Sequence, residues 1–357
     1  MTTLWDTNGG AIVKALAAER RSSGAVTSGL VLTLVAVADE RNAGEAISAA
    51  SAASTAHPCR VLVVVRRQPD APSPRLDAEV NVGGGSGPGE FVVMRMYGRL
   101  ALHAESVVLP LLAPDAPVVT WWYGAPPELI AHDPLGVLAD RRVTDSAAAA
   151  DPLAALKQRA DDYYPGDTDL AWARLTGWRA VLAASFDAVA EPVTGGVVHA
   201  KDANPSAALL AGWLSSRLGT TVGNEPSKGP GVTEVVLELG DEDRAAAGEG
   251  AGQPPKGKSG KGKSGKSSKN AGDGGPQLRL SRPDGRTATL SRAGQPDRAL
   301  PLPRRDLGDL LAEELRRLDS DEVYREALAM ATGVQIEPGP VGVRTHIWKD
   351  PAQEKAS

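Results

Sequence analysis

Two runs of aliphatic, mostly branched residues stand on either side of an alanine-rich stretch: LVLTLVAVA within residues 28–39, NAGEAISAASAASTA at 42–56 and RVLVVVRR at 60–67. The two runs carry little polar alternation, so each reads as a strand covered on both faces. The stretch between them reads as a helix. Strand, helix and strand at this spacing make a βαβ unit with parallel strands and a right-handed crossover. That unit places the chain in the α/β class.

With 357 residues the chain is long enough for two domains of ordinary size. In the first, over residues 1–150, AIVKALAAER reads as a helix, and LDAEVNV and EFVVMRMYGRLAL as strands around the GGGSGPG turn. HAESVVLPLLA reads as a short helix that Pro110 bends or ends, APVVTWWYG as a strand, and RRVTDSA as a short edge strand. The second domain, over residues 151–337, opens with Leu175, Trp178, Leu182 and Phe186 at helical spacing, with Asp167 or Thr168 as candidate caps. GGVVHAKD, GVTEVVLELG, PQLRLSRPDG and RTATLSRAG read as strands, the last two joined by a hairpin at Pro283-Asp284-Gly285. PSAALLAGWLSSRLG reads as a helix. Residues 306–318 form an amphipathic helix with Leu307, Leu311, Leu315 and Leu318 on one face, and Asp319 with Glu322 resembles a capping pair for a last helix. Residues 241–275 are a Lys/Gly/Ser-rich tract expected to be disordered, and 338–357 a tail. The expected fold is therefore two α/β domains with mixed sheets flanked by helices, plus a disordered insertion.

Recognisable catalytic machinery is missing. Cys59 is the only cysteine, which rules out an internal disulfide and a cysteine-based zinc site. It follows His57 in HPCR, a turn into the second buried strand, where a structural role is expected. A redox role for Cys59 would need a thiol from outside the chain. No two of the five histidines stand four apart, and neither His-Glu-x-x-His nor Gly-x-Ser-x-Gly occurs. GKSGKGKS at 257–264 fits the phosphate-loop pattern but lies in a repeat without the strand and helix that such a loop needs. No catalytic residue, metal or cofactor is expected. A net charge of −5 argues against a general nucleic-acid binder. The apolar runs are too short to span a bilayer as helices, and the opening residues lack the pattern of a signal peptide. A cytoplasmic protein is expected, with neither membrane nor nucleic acid as partner.

What remains are groups suited to holding another protein: large planar rings and guanidinium forks. In TWWY, strand alternation puts Trp121 on one face and Trp122 on the other. Trp172, Arg174 and Arg179 cluster near the domain junction. Arg304 and Arg305 precede the amphipathic helix and Arg316 and Arg317 lie in its last turn, where Glu313 and Arg317 have the spacing of a helical ion pair. These nine residues are the candidate partner-binding set; Trp121, Trp122, Trp172, Arg174 and Arg179 also suit internal packing, and Arg304, Arg305, Arg316 and Arg317 also suit a solvated, internally paired face or a phosphate-sugar effector site.

The strings HPCRVLVVV, PLLAPDAPVVTWWYG, LADRRVTDS, DLAWARLTGWRAVLAASFD, LLAGWLSSRLG and LPRRDLGDLLAEELRRLDSDEVY closely resemble the OpcA family, in its actinobacterial form. The family comprises assembly or activating proteins of glucose-6-phosphate dehydrogenase, the entry enzyme of the oxidative pentose phosphate pathway. The resemblance implies a partner that binds the dehydrogenase, favours its active oligomer and raises its activity, without binding NADP or oxidising sugar itself. The lysine-rich insertion departs from the family pattern. A single Cys59 gives no basis for the internal thiol switch linked to the cyanobacterial branch. Two alternatives stay open: a metabolite sensor or sugar-phosphate enzyme using a cleft at the strand ends, and a scaffold subunit without kinetic effect.

Overall fold

The computed structural model describes residues 1–23, 30–83, 89–186, 191–240 and 276–337. The GGGSGPG turn falls largely outside these residues, and the lysine-rich insertion, its phosphate-loop match and the tail wholly so. The described residues form two mixed sheets flanked by helices, as the patterning implies.

The first sheet is built from β1 (Thr2–Leu4), β2 (Thr33–Asp39), β3 (Arg60–Arg66), β4 (Arg75–Val82), β5 (Glu90–Tyr97), β6 (Val118–Tyr123), β7 (Arg141–Thr144) and β8 (Asp167–Asp169). Their order is β1-β4-β5-β3-β2-β6-β7-β8. β5, β3, β2, β6, β7 and β8 run parallel; β4 and β1 add an antiparallel margin. The βαβ unit is β2, α2 (Ala43–Ala56) and β3, with Thr33 opposite Arg60 and Asp39 opposite Arg66. Strand order reverses between β2 and β6, as in doubly wound sheets.

Both faces of this sheet are covered. On one, α1 (Gly9–Ser23) brings Ile12 and Leu16 onto Val35, Val37, Leu62 and Val64, beside residues around α3 (Glu105–Val108). On the other, the alanines of α2 pack on Leu34, Ala36, Val61 and Val63. Small side chains let this helix lie close to the sheet. They also leave room for a helix from the far end of the chain.

RRVT is not an edge strand. β7 lies inside the sheet, with the unanticipated β8 as its margin, so this sheet runs past residue 150. Both arginines of β7 are buried and held. Arg142 pairs with Asp167 and donates to the carbonyls of Ala139 at 2.9 Å and Pro165 at 2.6 Å. Arg141 reaches Glu314 through Nε at 3.1 Å and through Nη2, and the Asp319 carbonyl at 2.9 Å. Asp167 and Thr168 therefore belong to a strand, and Asp169 provides the cap for α6 (Leu170–Ala173), accepting from the Ala171 N–H. Burial pushes the Asp169 carboxyl up from its ordinary value.

The second sheet has the order β10-β9-β11-β12-β13-β14, from β9 (Val193–Ala200), β10 (Val222–Pro226), β11 (Val232–Leu239), β12 (Gln277–Ser281), β13 (Thr287–Arg292) and β14 (Arg298–Pro301). β9 and β10 are parallel and the rest antiparallel, including the expected hairpin β12–β13. Against it pack α7 (Thr176–Phe186) and α8 (Pro205–Leu218), with Trp178, Leu182, Leu209 and Leu210 in the core. α4 (Pro134–Val137) and α5 (Pro152–Asp161) connect the strands of the first sheet, and α5 contributes Leu156 to the second core. α9 (Leu307–Glu314) returns to the first sheet and lies on α2; a Cβ on Gly308 would stand 2.6 Å from that of Ala52. α10 (Glu322–Thr332) packs on α8, where a Cβ on Gly212 would meet the Ala327 carbonyl at 2.5 Å. Its cap is Asp321, which accepts from the Tyr324 N–H at 3.0 Å, not the Asp319–Glu322 pair.

Candidate functional site

The three nominated tryptophans are core residues. Trp121 and Trp122 occupy opposite faces of the sheet, as strand alternation requires, but both faces are covered and neither ring reaches the surface. Trp172 is buried in the second core, its Nε1 donating to Asp321 at 2.9 Å. Burial therefore removes all three from the surface a partner can touch. Trp5, by contrast, is 71% exposed just beyond β1. It was not among the nominated residues, although LWDTNGG gives it few apolar neighbours to pack against.

Arg174 and Arg179 are half-buried and anchored within the chain. Arg174 makes a two-pronged pair with Asp145, at 2.7 and 2.6 Å. Burial disfavours its charge, but Asp145 outweighs that and raises its pKa. The Arg179 guanidinium lies 3.7 Å from the Trp172 ring centroid, and burial lowers its pKa. This geometry is a stacked cation–π contact inside the fold.

The expected Glu313–Arg317 pair does not form. α9 ends at Glu314, so Arg317 lies past the helix and loses the spacing that would pair it. Glu313 instead receives Arg305 and the Thr176 hydroxyl. Arg305 also donates to the Asp309 carbonyl at 2.8 Å. Arg316 and Arg317 are exposed, and among the described residues neither makes an ion pair. Arg304 is exposed too and donates to the Pro230 carbonyl.

Arg174, Arg304 and Arg305 converge, with Arg282, on a cavity of about 420 Å³. Sequence reading overlooked Arg282, although alternation along QLRLSR puts it on the same face as the buried Leu278 and Leu280. A second cavity, of about 650 Å³, lies at the carboxyl ends of β6 and β7 and is lined by Asn42, Gly124, Thr144, Ser146 and Arg159. Parallel sheets commonly receive ligands at this end.

Cys59 is fully buried, and burial pushes its thiol up to about 12. A thiol held protonated is a poor nucleophile. Among the described residues no group of three or more His, Cys, Asp or Glu side chains could hold a metal ion. No described helix is long and apolar enough to cross a membrane.

Residues 50–161 match the family described as the glucose-6-phosphate dehydrogenase subunit N-terminal domain, and residues 165–328 the corresponding C-terminal domain. Between them the two matches cover most of the chain, which belongs to the OpcA family. A putative OxPP cycle protein OpcA from Synechococcus elongatus is 33% identical over 121 residues, 31% of this chain and 27% of that protein. The chain thus aligns with about a quarter of that relative's length. Among solved structures, a glucose-6-phosphate 1-dehydrogenase from Mycobacterium avium aligns at 10% identity and a TM-score of 0.40, over 86% of this chain and 91% of that one. An oxidoreductase from Sinorhizobium meliloti aligns at 11% identity and 0.32, over 84% and 86%. Likeness at this level bears on neither fold nor function.

Proposed function

We propose that this chain is a non-catalytic assembly factor and activator of glucose-6-phosphate dehydrogenase, working in the cytoplasm in the oxidative pentose phosphate pathway. The observation that carries the reading is that both halves match families described as a subunit of that enzyme. Activation is then a population shift: the chain binds the active state of the dehydrogenase more tightly than the inactive one. Arg316 and Arg317, exposed and without an ion pair among the described residues, fit an acidic patch on the partner.

Mixing the two purified proteins and following both complex mass and NADPH production tests the proposal. A complex with raised activity supports it. A complex with unchanged kinetics reduces the chain to a scaffold. No complex and no rate change at micromolar protein refutes it. Arg316→Glu with Arg317→Glu is expected to slow association and weaken binding by about tenfold, more so at low salt, with an unchanged circular dichroism spectrum. The cavity at the carboxyl ends of β6 and β7 favours a second reading, a metabolite-binding role. Turnover of a sugar phosphate by the chain alone would favour an enzymatic version of it.

A further inference from the structure

The junction cavity carries an unusual charge balance. Four arginines line it and no carboxylate does. Two of the four are neutralised nearby, Arg174 by Asp145 and Arg305 by Glu313. Arg282 and Arg304 make no ion pair among the described residues. Arg282 is only 8% exposed. It donates to the carbonyls of Leu302 at 3.2 Å and Val232 at 3.3 Å, and lies 5.0 Å from the Trp178 ring centroid. Those bonds use two of the five hydrogens on a guanidinium, and Nε has no partner. Burial, reinforced by Arg304 and opposed by Asp284, lowers its pKa to about 10, which leaves it charged at neutral pH. A buried cation without an ion-pair partner is costly, and a bound anion lowers that cost.

The backbone adds to the same field. The first turn of α7 contributes Gly177 and Trp178 to the lining, and the start of α8 contributes Asn204 and Ser206. Helix N-termini carry partial positive charge and favour anions. Val232, Leu302, Pro303 and Leu310 supply an apolar wall. The volume falls in the range of small-molecule sites.

We propose that this cavity binds a small phosphorylated metabolite, its phosphate held by Arg282 and Arg304 and its body against the apolar wall. The phosphate monoester dianion matches two guanidinium charges that make no ion pair among the described residues, and guanidinium forks suit phosphate oxygens. An acidic side chain from a protein partner would bring one charge to a site with two. The assignment is independent of whether the dehydrogenase is the partner.

The test uses the purified full-length chain alone. Its thermal midpoint is followed against inorganic phosphate and glycerol 3-phosphate at constant ionic strength, with glycerol and sodium chloride as controls. A saturable rise with both phosphates, and none with either control, is expected. Arg304→Ala, at an exposed position, is expected to weaken the apparent affinity about tenfold or more. Arg282→Met is expected to abolish the response, with its fold checked by circular dichroism. Should Arg282→Met fail to fold, Arg304→Ala decides. The assignment is overturned by an unresponsive wild type, as a cavity reserved for an acidic protein segment would give. An equal response to chloride, or full affinity retained in Arg304→Ala, overturns it as well.

Discussion

The pair Arg141–Glu314 joins β7 to α9 across 173 positions of sequence, with side chains 2% and 5% exposed. Removing one partner of a buried pair leaves the other charge without compensation, at a cost of about 3–5 kcal/mol. The two partners are not equivalent. An arginine keeps its proton, whereas a carboxyl can take one up, and burial already pushes Glu314 above its ordinary value. Glu314→Leu is therefore expected to lose the full 3–5 kcal/mol or so at any pH near neutral. Arg141→Met is expected to lose less, and progressively less as the pH falls and Glu314 becomes neutral. The double variant Arg141→Met with Glu314→Leu is expected to recover most of the loss, because two apolar groups replace two charges. Urea unfolding read by tryptophan fluorescence and by circular dichroism measures all four proteins, with coincident curves checking that a single transition is observed. A Glu314→Leu loss under about 1 kcal/mol would refute the claim that this contact carries a desolvated charge. So would a double variant no more stable than Glu314→Leu.

Three further outcomes follow from the same physics. Trp178→Ala should cost about 3–5 kcal/mol by thermal or urea unfolding, since it opens a cavity in the second core and removes the ring beneath Arg282. Burial raises the Asp162 carboxyl to about 6 from an unfolded value near 3.8, with Arg159 opposing. The folded chain then holds a proton that the unfolded chain has released, so this group's contribution is present below pH 3.8 and is lost as pH rises towards 6. The loss is on the order of 3 kcal/mol, and Asp162→Asn should flatten the stability profile across that window. Cys59 should resist a thiol-reactive aromatic disulfide at pH 8 in the folded chain and react promptly in urea; rapid labelling of the native protein would contradict its burial.

Branched aliphatic runs made β2 and β3 legible, because a strand covered on both faces tolerates an unbroken apolar run such as the five residues of Val61–Val65. β1, β10 and β14 escaped notice: TTL, VGNEP and RALP are short and exist through their neighbours' hydrogen bonds. RRVT resembled an edge because two adjacent arginines suggest solvent. Their counter-charges come from Asp167 and Glu314, one of them from the other end of the chain, and no local pattern announces such partners. Alternation put Trp121 and Trp122 on opposite faces correctly, but it could not tell that both faces are roofed. Arg282 was legible in principle from its register with Leu278 and Leu280. An arginine at a buried register is itself the signal of a ligand or counter-charge nearby.

The seat of α9 on α2 has a consequence for biosynthesis. As the chain emerges from the ribosome, the first eight strands are complete long before residues 307–318 exist, and until then Ala49 and the buried alanines beside it on α2 lack the cover of Leu310 and Leu311. The nascent amino-terminal half must wait in the cell with a bare hydrophobic flank. That flank is where chaperone contact during synthesis is expected.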